Sequence, residues 1–388
     1  MPTNVLIAGG GPAALEAALR LHRLAGEHVS TTVLSPNTEL DYRPLSVLTP
    51  FAAGGPPVHP LARIAADAGF VHRIGALARV DAAAHAIETS DGERIDYDML
   101  LLATGAVAER APRGATTFTG SAADAKTLHG LVQDVEGGYT RRVAFVVPPD
   151  ATWPLPLYEL ALMLAERAFE MGIDVDLHVV TPEESPLALF GPDAAREVAR
   201  LLAAAGIVVH TGTHFDEGRL VPGGEPLEVQ RVVTLPHLRG PAIPGLPADA
   251  AGFLVTDAHG QVVGVPDVYA AGDLTAFPIK QGGIACQQAD AAAEAIAARA
   301  GAPVEPAPFA PMLRGMLLTE RWARFLRRDA AGHGDDAAVA GRALWWPPTK
   351  IAGRELAGYL ESLDQELGRV RGLAVEQPID GVEVLSLR

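Results

Sequence analysis

Asn4-Val5-Leu6-Ile7-Ala8-Gly9-Gly10-Gly11-Pro12-Ala13-Ala14 decides the fold. A short, largely apolar run suited to a buried strand meets three glycines, and the helix formers Leu15 to Leu21 follow. Gly9, Gly11 and Ala14 fit G-x-G-x-x-G/A. In that pattern the first glycine makes the tight turn and the second lets backbone approach a pyrophosphate. The third small residue lets helix pack on strand. The diphosphate then meets the free N–H groups of the helix N-terminus. A second, β-branched run at Val29–Leu34 completes a β-α-β unit, the building block of a parallel sheet. The strand end that commonly carries Asp or Glu for a ribose carries Ser35, which can hydrogen-bond a ribose without charge assistance. The fingerprint by itself leaves FAD and NAD both open.

Composition narrows the field. The chain has 388 residues, 31 Lys+Arg against 47 Asp+Glu, a formal net charge of −16 and one Cys. That length makes about two or three domains. With 48% hydrophobic and 20% charged residues, global disorder is excluded. The acidity argues against nucleic-acid binding, which needs a basic face. One cysteine excludes an intramolecular disulfide, a CxxC redox pair and a Cys-built zinc site. No apolar run reaches the roughly 18–20 residues of a membrane-spanning helix. The N-terminus enters a strand at once, so no signal peptide is expected and a cytoplasmic location is the expectation.

Further strands are expected at Asp98–Gly105, Arg142–Val147, Asp174–Val180, Ile207–His210 and Val268–Asp273. Helices are expected at Pro156–Met171, Pro192–Ala205 and Gly283–Ala300. Residues 106–126 read as a crossover, and 219–245 as a sheet edge returning to the first domain. The expected fold class is α/β, with two Rossmann-like dinucleotide-binding domains and a C-terminal segment. The FAD-binding domain is expected to be discontinuous, over 1–115 and 246–309. A degenerate NAD(P)-type domain spans 116–245, and 310–388 forms a C-terminal segment on the flavin side.

Three stretches carry a family resemblance. Leu100-Leu101-Leu102-Ala103-Thr104-Gly105-Ala106 resembles the strand-and-turn ATG motif of two-dinucleotide-domain flavoproteins. Val268-Tyr269-Ala270-Ala271-Gly272-Asp273 resembles their second flavin motif, whose aspartate bonds the ribityl chain. Asp41-Tyr42-Arg43-Pro44-Leu45 resembles the loop of sulfide:quinone reductases and type II NADH dehydrogenases that passes beside the isoalloxazine ring. The resemblance covers most of residues 1–300 and points to the FAD-dependent pyridine nucleotide-disulfide oxidoreductases. It implies non-covalent FAD held by Gly9, Gly11, Pro12, Ala13, Ala14, Ser35, Arg43, Pro44, Leu77, Ala78, Ala103, Thr104, Gly105, Gly272, Asp273, Lys280, Gly283 and Ile284. Electrons would pass from a small-molecule donor to a quinone or another acceptor, in a monomer or homodimer; the alternatives are a type II-like NAD(P)H dehydrogenase and a biosynthetic flavoenzyme acting on a small organic metabolite.

Two departures stand out. The strand Val143–Val147 runs into Pro148-Pro149-Asp150-Ala151-Thr152-Trp153-Pro154, with no glycine for a second pyrophosphate and two N–H donors missing. The sulfide:quinone reductase branch commonly has a cysteine near the position of Trp153. Sulfide oxidation by its mechanism needs at least two thiols, and this chain has Cys286 alone. Lys280, Lys350 and Glu159 are the candidate catalytic residues, for stabilising an anion or moving a proton. Trp153, Trp345 and Trp346 are candidate walls of a substrate pocket. His210 and His214 lie on a strand and turn, and no metal site is expected there. Residues 312–328 read as a β-hairpin in preference to a basic amphipathic helix lying on a membrane.

Overall fold

The computed structural model describes residues 1–51, 55–111, 114–319, 321–330, 337–366 and 383–385, so much of the 310–388 segment after residue 366 lies outside the described residues. Two five-stranded parallel sheets organise the chain. In the first, Val268–Ala270, Met99–Leu102, Thr3–Ala8, Val29–Ser35 and Val71–Ile74 lie side by side in that order. Their pairings set Ala8 level with Leu34 and Leu102, and Leu102 level with Ala270. The turns that follow these strands therefore open on one C-terminal edge, where parallel sheets bind ligands. The Pro12–Ala25 and Gly282–Arg299 helices cover one face of this sheet. They bury Ala13, Ala14, Ala17 and Ala18 with Ala285, Ala289, Ala292 and Ala293. Small side chains let the two helix backbones approach closely.

The second sheet runs Ala115–Thr117, Arg231–Thr234, Arg142–Val146, Asp176–Val180 and Val208–His210, again parallel. Its core buries the Leu155–Glu170 helix on all sides from Leu157 to Ala165, and one face of the Pro192–Ala204 helix. Two sequence expectations are corrected here. Arg231–Thr234 is an interior strand bonded on both sides, so 219–245 is not a sheet edge. Its apolar Val232 and Val233 earn that place, while the Pro- and Gly-rich residues before it form a small antiparallel hairpin system. The 106–126 stretch is no plain crossover, since it contributes the strand Ala115–Thr117 and the start of the Ala122–Glu136 helix, capped by Ser121.

Residues Met312–Leu318 and Ala323–Asp329 form an antiparallel hairpin, extended by Ala337–Ala340. This is the hairpin reading, and the amphipathic helix is set aside. Among the described residues no helix is long and apolar enough to cross a membrane.

Candidate functional site

The first glycine turn has the geometry a dinucleotide requires. Gly9 has φ of +138°, and a Cβ there would run into the Ala103 carbonyl, so strand contact alone demands glycine. Gly11 differs: a Cβ built on it meets nothing within 4 Å. Protein packing leaves that space open, in front of a helix N-terminus with Pro12 in its first turn. A pyrophosphate fits this cradle. Ala13 and Ala14 are buried beneath it, against the helix that follows Asp273. Thr104 and Gly105 reach the surface at the same sheet edge, with Ala103 buried behind them. Leu77 opens the Leu77–Asp81 strand of a separate antiparallel sheet, half-buried, with Ala78 exposed after it.

Gly272-Asp273 ends the outermost strand in a locked turn. The Gly272 N–H donates to Gln288 Oε1 at 2.8 Å, and Thr275 Oγ1 donates to the Gly272 carbonyl at 2.9 Å. The Asp273 carboxylate makes no hydrogen bond to a described residue. Burial raises its pKa, opposed by Lys280 and Arg43. A carboxylate left without donors suits a hydroxyl-bearing ligand.

Lys280 donates to the Thr275 carbonyl and lies 3.9 Å from the Phe253 ring centroid. Burial pulls its ammonium down to about 8, against the attraction of Asp273. Lys350 and Glu159, separate in the sequence reading, are one unit. The lysine Nζ donates to Glu159 at 2.7 Å and to the Pro44 carbonyl at 3.1 Å. The Leu318 N–H donates to Glu159 Oε1 at 2.7 Å. Burial raises Glu159 to about 7, with Lys350 and the Leu318 amide pulling the other way. The pair ties the Arg43-Pro44 loop to the Leu155–Glu170 helix and to the hairpin.

These groups border one cavity of about 430 Å³. Arg43, Pro44, Trp153, Asp273, Lys280 and Lys350 all line it, as do Phe118, Leu155, Leu235 and Leu238. Trp153 is fixed edge-on against Phe190, with ring centroids 5.7 Å apart.

Several sequence assignments are corrected by packing. Trp345 is fully buried, edge-on to Phe325, with its indole N–H bonded to the Thr349 carbonyl at 3.0 Å. It holds the C-terminal segment to the hairpin and does not line the cavity, nor does its neighbour Trp346. Ser35 is wholly buried under Gly10 and accepts from the Asn37 N–H at 3.1 Å, so it braces the turn and cannot reach a ribose. Gly283 and Ile284 are buried at the helix start, where the Ile284 N–H is taken by the Gln281 side-chain cap at 2.8 Å. His210 faces His178 at 3.2 Å, while His214 begins a different strand.

Sequence reading missed Gln281, Arg314 and Phe118. Gln281 caps its helix and donates to the Arg314 carbonyl at 3.1 Å, and both line the cavity. A polar residue before Gly282-Gly283 at a helix start was the available signal for Gln281; nothing local marks the other two.

The second glycine-poor turn is equally informative. Its helix begins at Leu155 after Pro154, with Pro156 also in the first turn. Four prolines between 148 and 156 lack N–H groups, and the Leu157 N–H is spent on the Pro154 carbonyl at 3.0 Å. Glu183, just past the Asp176–Val180 strand, is bonded by Tyr158 Oη at 2.6 Å and Thr181 Oγ1 at 3.0 Å. An acid near a ribose-binding position is thus turned inward.

The pyridine nucleotide-disulphide oxidoreductase family model matches residues 3–140. Two NADH dehydrogenase-like proteins of Mycobacterium tuberculosis, from strains CDC 1551 and H37Rv, are each 30% identical over 300 residues. The match covers 71% of this chain and 73% of theirs. Among solved structures, the sulfide:quinone oxidoreductase of Aquifex aeolicus superposes with a TM-score of 0.76 at 18% identity, covering 98% of this chain and 99% of that one. The ferredoxin reductase of the CYP199A2 system from Rhodopseudomonas palustris gives 0.62 at 18% identity, covering 84% and 81%.

Proposed function

The chain belongs to the pyridine nucleotide-disulphide oxidoreductase family, in its sulfide:quinone reductase and type II NADH dehydrogenase-like branch, and from that premise we propose an FAD-dependent oxidoreductase whose donor is a small molecule other than NAD(P)H. The observation that carries the FAD assignment is the open space before Gly11, level on one sheet edge with the donor-free carboxylate of Asp273. In this reading residues 1–115 and 246–309 hold FAD without a covalent link, 116–245 walls the substrate side, and the described residues of the 310–388 segment lie on the flavin side.

Bound FAD would supply two-electron chemistry between donor and acceptor, the latter a quinone or another small oxidant. The chain supplies position and charge. Lys280, beside Asp273, places a cation where negative charge develops. The Lys350–Glu159 pair holds a proton at the cavity wall and can shift it between Nζ and the carboxylate. Cys286 is fully buried, with its thiol pKa pushed well up by burial and by Glu16 and Asp290. A thiolate mechanism has no support from this residue.

The donor assignment rests on the second turn. Losing two charge-assisted hydrogen bonds of about 1.5–3 kcal/mol each weakens a dinucleotide by roughly two to four powers of ten. NADH should therefore reduce the flavin at least about a hundredfold more slowly than it reduces a dinucleotide reductase. Anaerobic stopped-flow mixing with NADH tests this. Rapid, saturable bleaching at micromolar NADH would overturn the donor assignment and favour an NADH dehydrogenase, the reading to which the 30% identical relatives' names point.

A further inference from the structure

The cavity's walls carry more information than its position. Arg43, Lys280, Arg314 and Lys350 face it against the carboxylate of Asp273, in a chain whose formal net charge is −16. A cationic pocket in an acidic protein is a local feature and calls for a local explanation.

Most of that charge is already answered. Lys350 is paired with Glu159, Lys280 is drawn to Asp273, and Arg314 has a partner of its own. The nearby N-terminus of the Ala122–Glu136 helix is satisfied as well, since Ser121 Oγ accepts from the Asp124 N–H at 3.2 Å. Asp124 in turn binds Arg110 at 2.7 Å, so that arginine is also occupied. Arg43 is different. Its guanidinium forms a loose ion pair with Asp41 at 3.6 Å and shares the attraction of Asp273 with Lys280, but it makes no hydrogen bond among the described residues, and its side chain is 66% exposed. It lines the same cavity as Trp153, Phe118, Leu235 and Leu238.

We propose that this cavity takes a compact monoanion, an aromatic or similarly flat carboxylate, with its apolar body between Trp153, Phe118 and the two leucines and its anionic group on the Arg43 fork. The inference rests on the flavoprotein reading, because it names the substrate class of that site. The size follows from the cavity: of its roughly 430 Å³, the edge bounded by Asp273, Lys280 and Gly282 belongs to the flavin on the flavoprotein reading, and the remainder suits a compact ligand. One anion follows from one guanidinium without a hydrogen-bonded partner among the described residues. Arginine matches a carboxylate with two parallel N–H donors, which a neutral isostere cannot exploit as a charge-assisted pair.

Benzoate and benzamide are the probes, having the same ring and differing in charge. Titration calorimetry on the FAD-loaded protein should give benzoate at least about tenfold tighter binding than benzamide. Arg43→Gln should bring the two within about twofold, and Trp153→Ala should weaken both alike. Equal affinities in the wild type, failure of both to bind, or a preference that survives Arg43→Gln would overturn the inference. Flavin content, measured first from the absorbance spectrum, separates the two readings. Absence of FAD with the benzoate preference intact overturns the flavoprotein reading alone. Full FAD with no preference overturns the anion site alone.

Discussion

Replacing Lys350 by Met removes the ammonium that faces Glu159 at 2.7 Å, in a pair whose side chains are 6% and 0% exposed. Breaking a buried pair from one side costs about 3–5 kcal/mol, because the remaining charge has lost its compensation. Glu159 has one escape, which is to take a proton. Its folded pKa of about 7, against an ordinary 4.5, means that the folded state keeps a proton the unfolded chain has released. The stability this group contributes is fully present below pH 4.5 and is lost as pH rises through about 7. At about 1.4 kcal/mol per unit, that window is worth about 3–4 kcal/mol. Without Lys350 the attraction that lowers the carboxyl pKa is gone, and the window extends to higher pH. The variant's loss should therefore be small near pH 5.5 and approach the full cost near pH 8.5.

Thermal melts at those two pH values are the assay. On a chain of 388 residues, about 3 kcal/mol moves Tm by about 4 °C. Glu159→Gln/Lys350→Met should recover most of the loss, since neutral groups of similar shape replace a desolvated pair and the Leu318 N–H keeps an acceptor. An equal loss for Lys350→Met at both pH values would refute the reasoning, and so would a double variant less stable than the single one.

Gly11→Val should purify without flavin yet melt within about 1 kcal/mol of the flavin-free wild type, because its side chain enters space the protein leaves open; full flavin content would remove the pyrophosphate from that turn. Gly353→Ala should cost about 1–3 kcal/mol, since its Cβ would overlap Glu16 Oε2 and lie 3.0 Å from Cys286 Sγ. Glu16 accepts the Glu355 and Leu356 amides at 2.7 and 2.9 Å, so limited proteolysis should cut the C-terminal segment of that variant faster, and an unchanged rate would count against it. Trp345→Ala should lose about 3–5 kcal/mol while benzoate affinity stays within about twofold; a selective loss of affinity would return Trp345 to the pocket.

What could be read in the sequence was what backbone geometry dictates locally. Gly9, Gly11 and Ala14 answer to a turn a few residues long, so their expected roles follow from spacing, while Gly272-Asp273 marks a strand end whose expected role came from the resemblance. The helix at Pro192–Ala204 starts where the sequence expected it, because a proline suits a first helical turn. The misplaced residues depend on side chains distant along the chain. Ser35 occupies the ribose position in sequence, but its burial depends on Gly10 pressing against it. Trp345 has the character of a pocket wall, and its actual partner is Phe325 across the hairpin. The Lys350–Glu159 bond joins residues 191 apart in the chain, which no local pattern can announce.

The two parallel sheets separate what folding needs from what a dinucleotide needs. Both units place an apolar strand before a turn and a helix, and both keep their strands in parallel register. The first turn spends Gly9 on closeness to Ala103 and leaves Gly11 facing open space. The second is built on Pro148, Pro149, Pro154 and Pro156, and a helix tolerates proline in its first turn because those N–H groups have no intrahelical partner. Folding therefore loses nothing there, while an incoming pyrophosphate loses its donors. The same turn delivers Trp153 and Leu155 to the cavity, and the strand beside it delivers Leu235. On this reading the second unit shapes an apolar wall that excludes water from the ring face, and Arg43 on the first unit's loop chooses the charge of what enters.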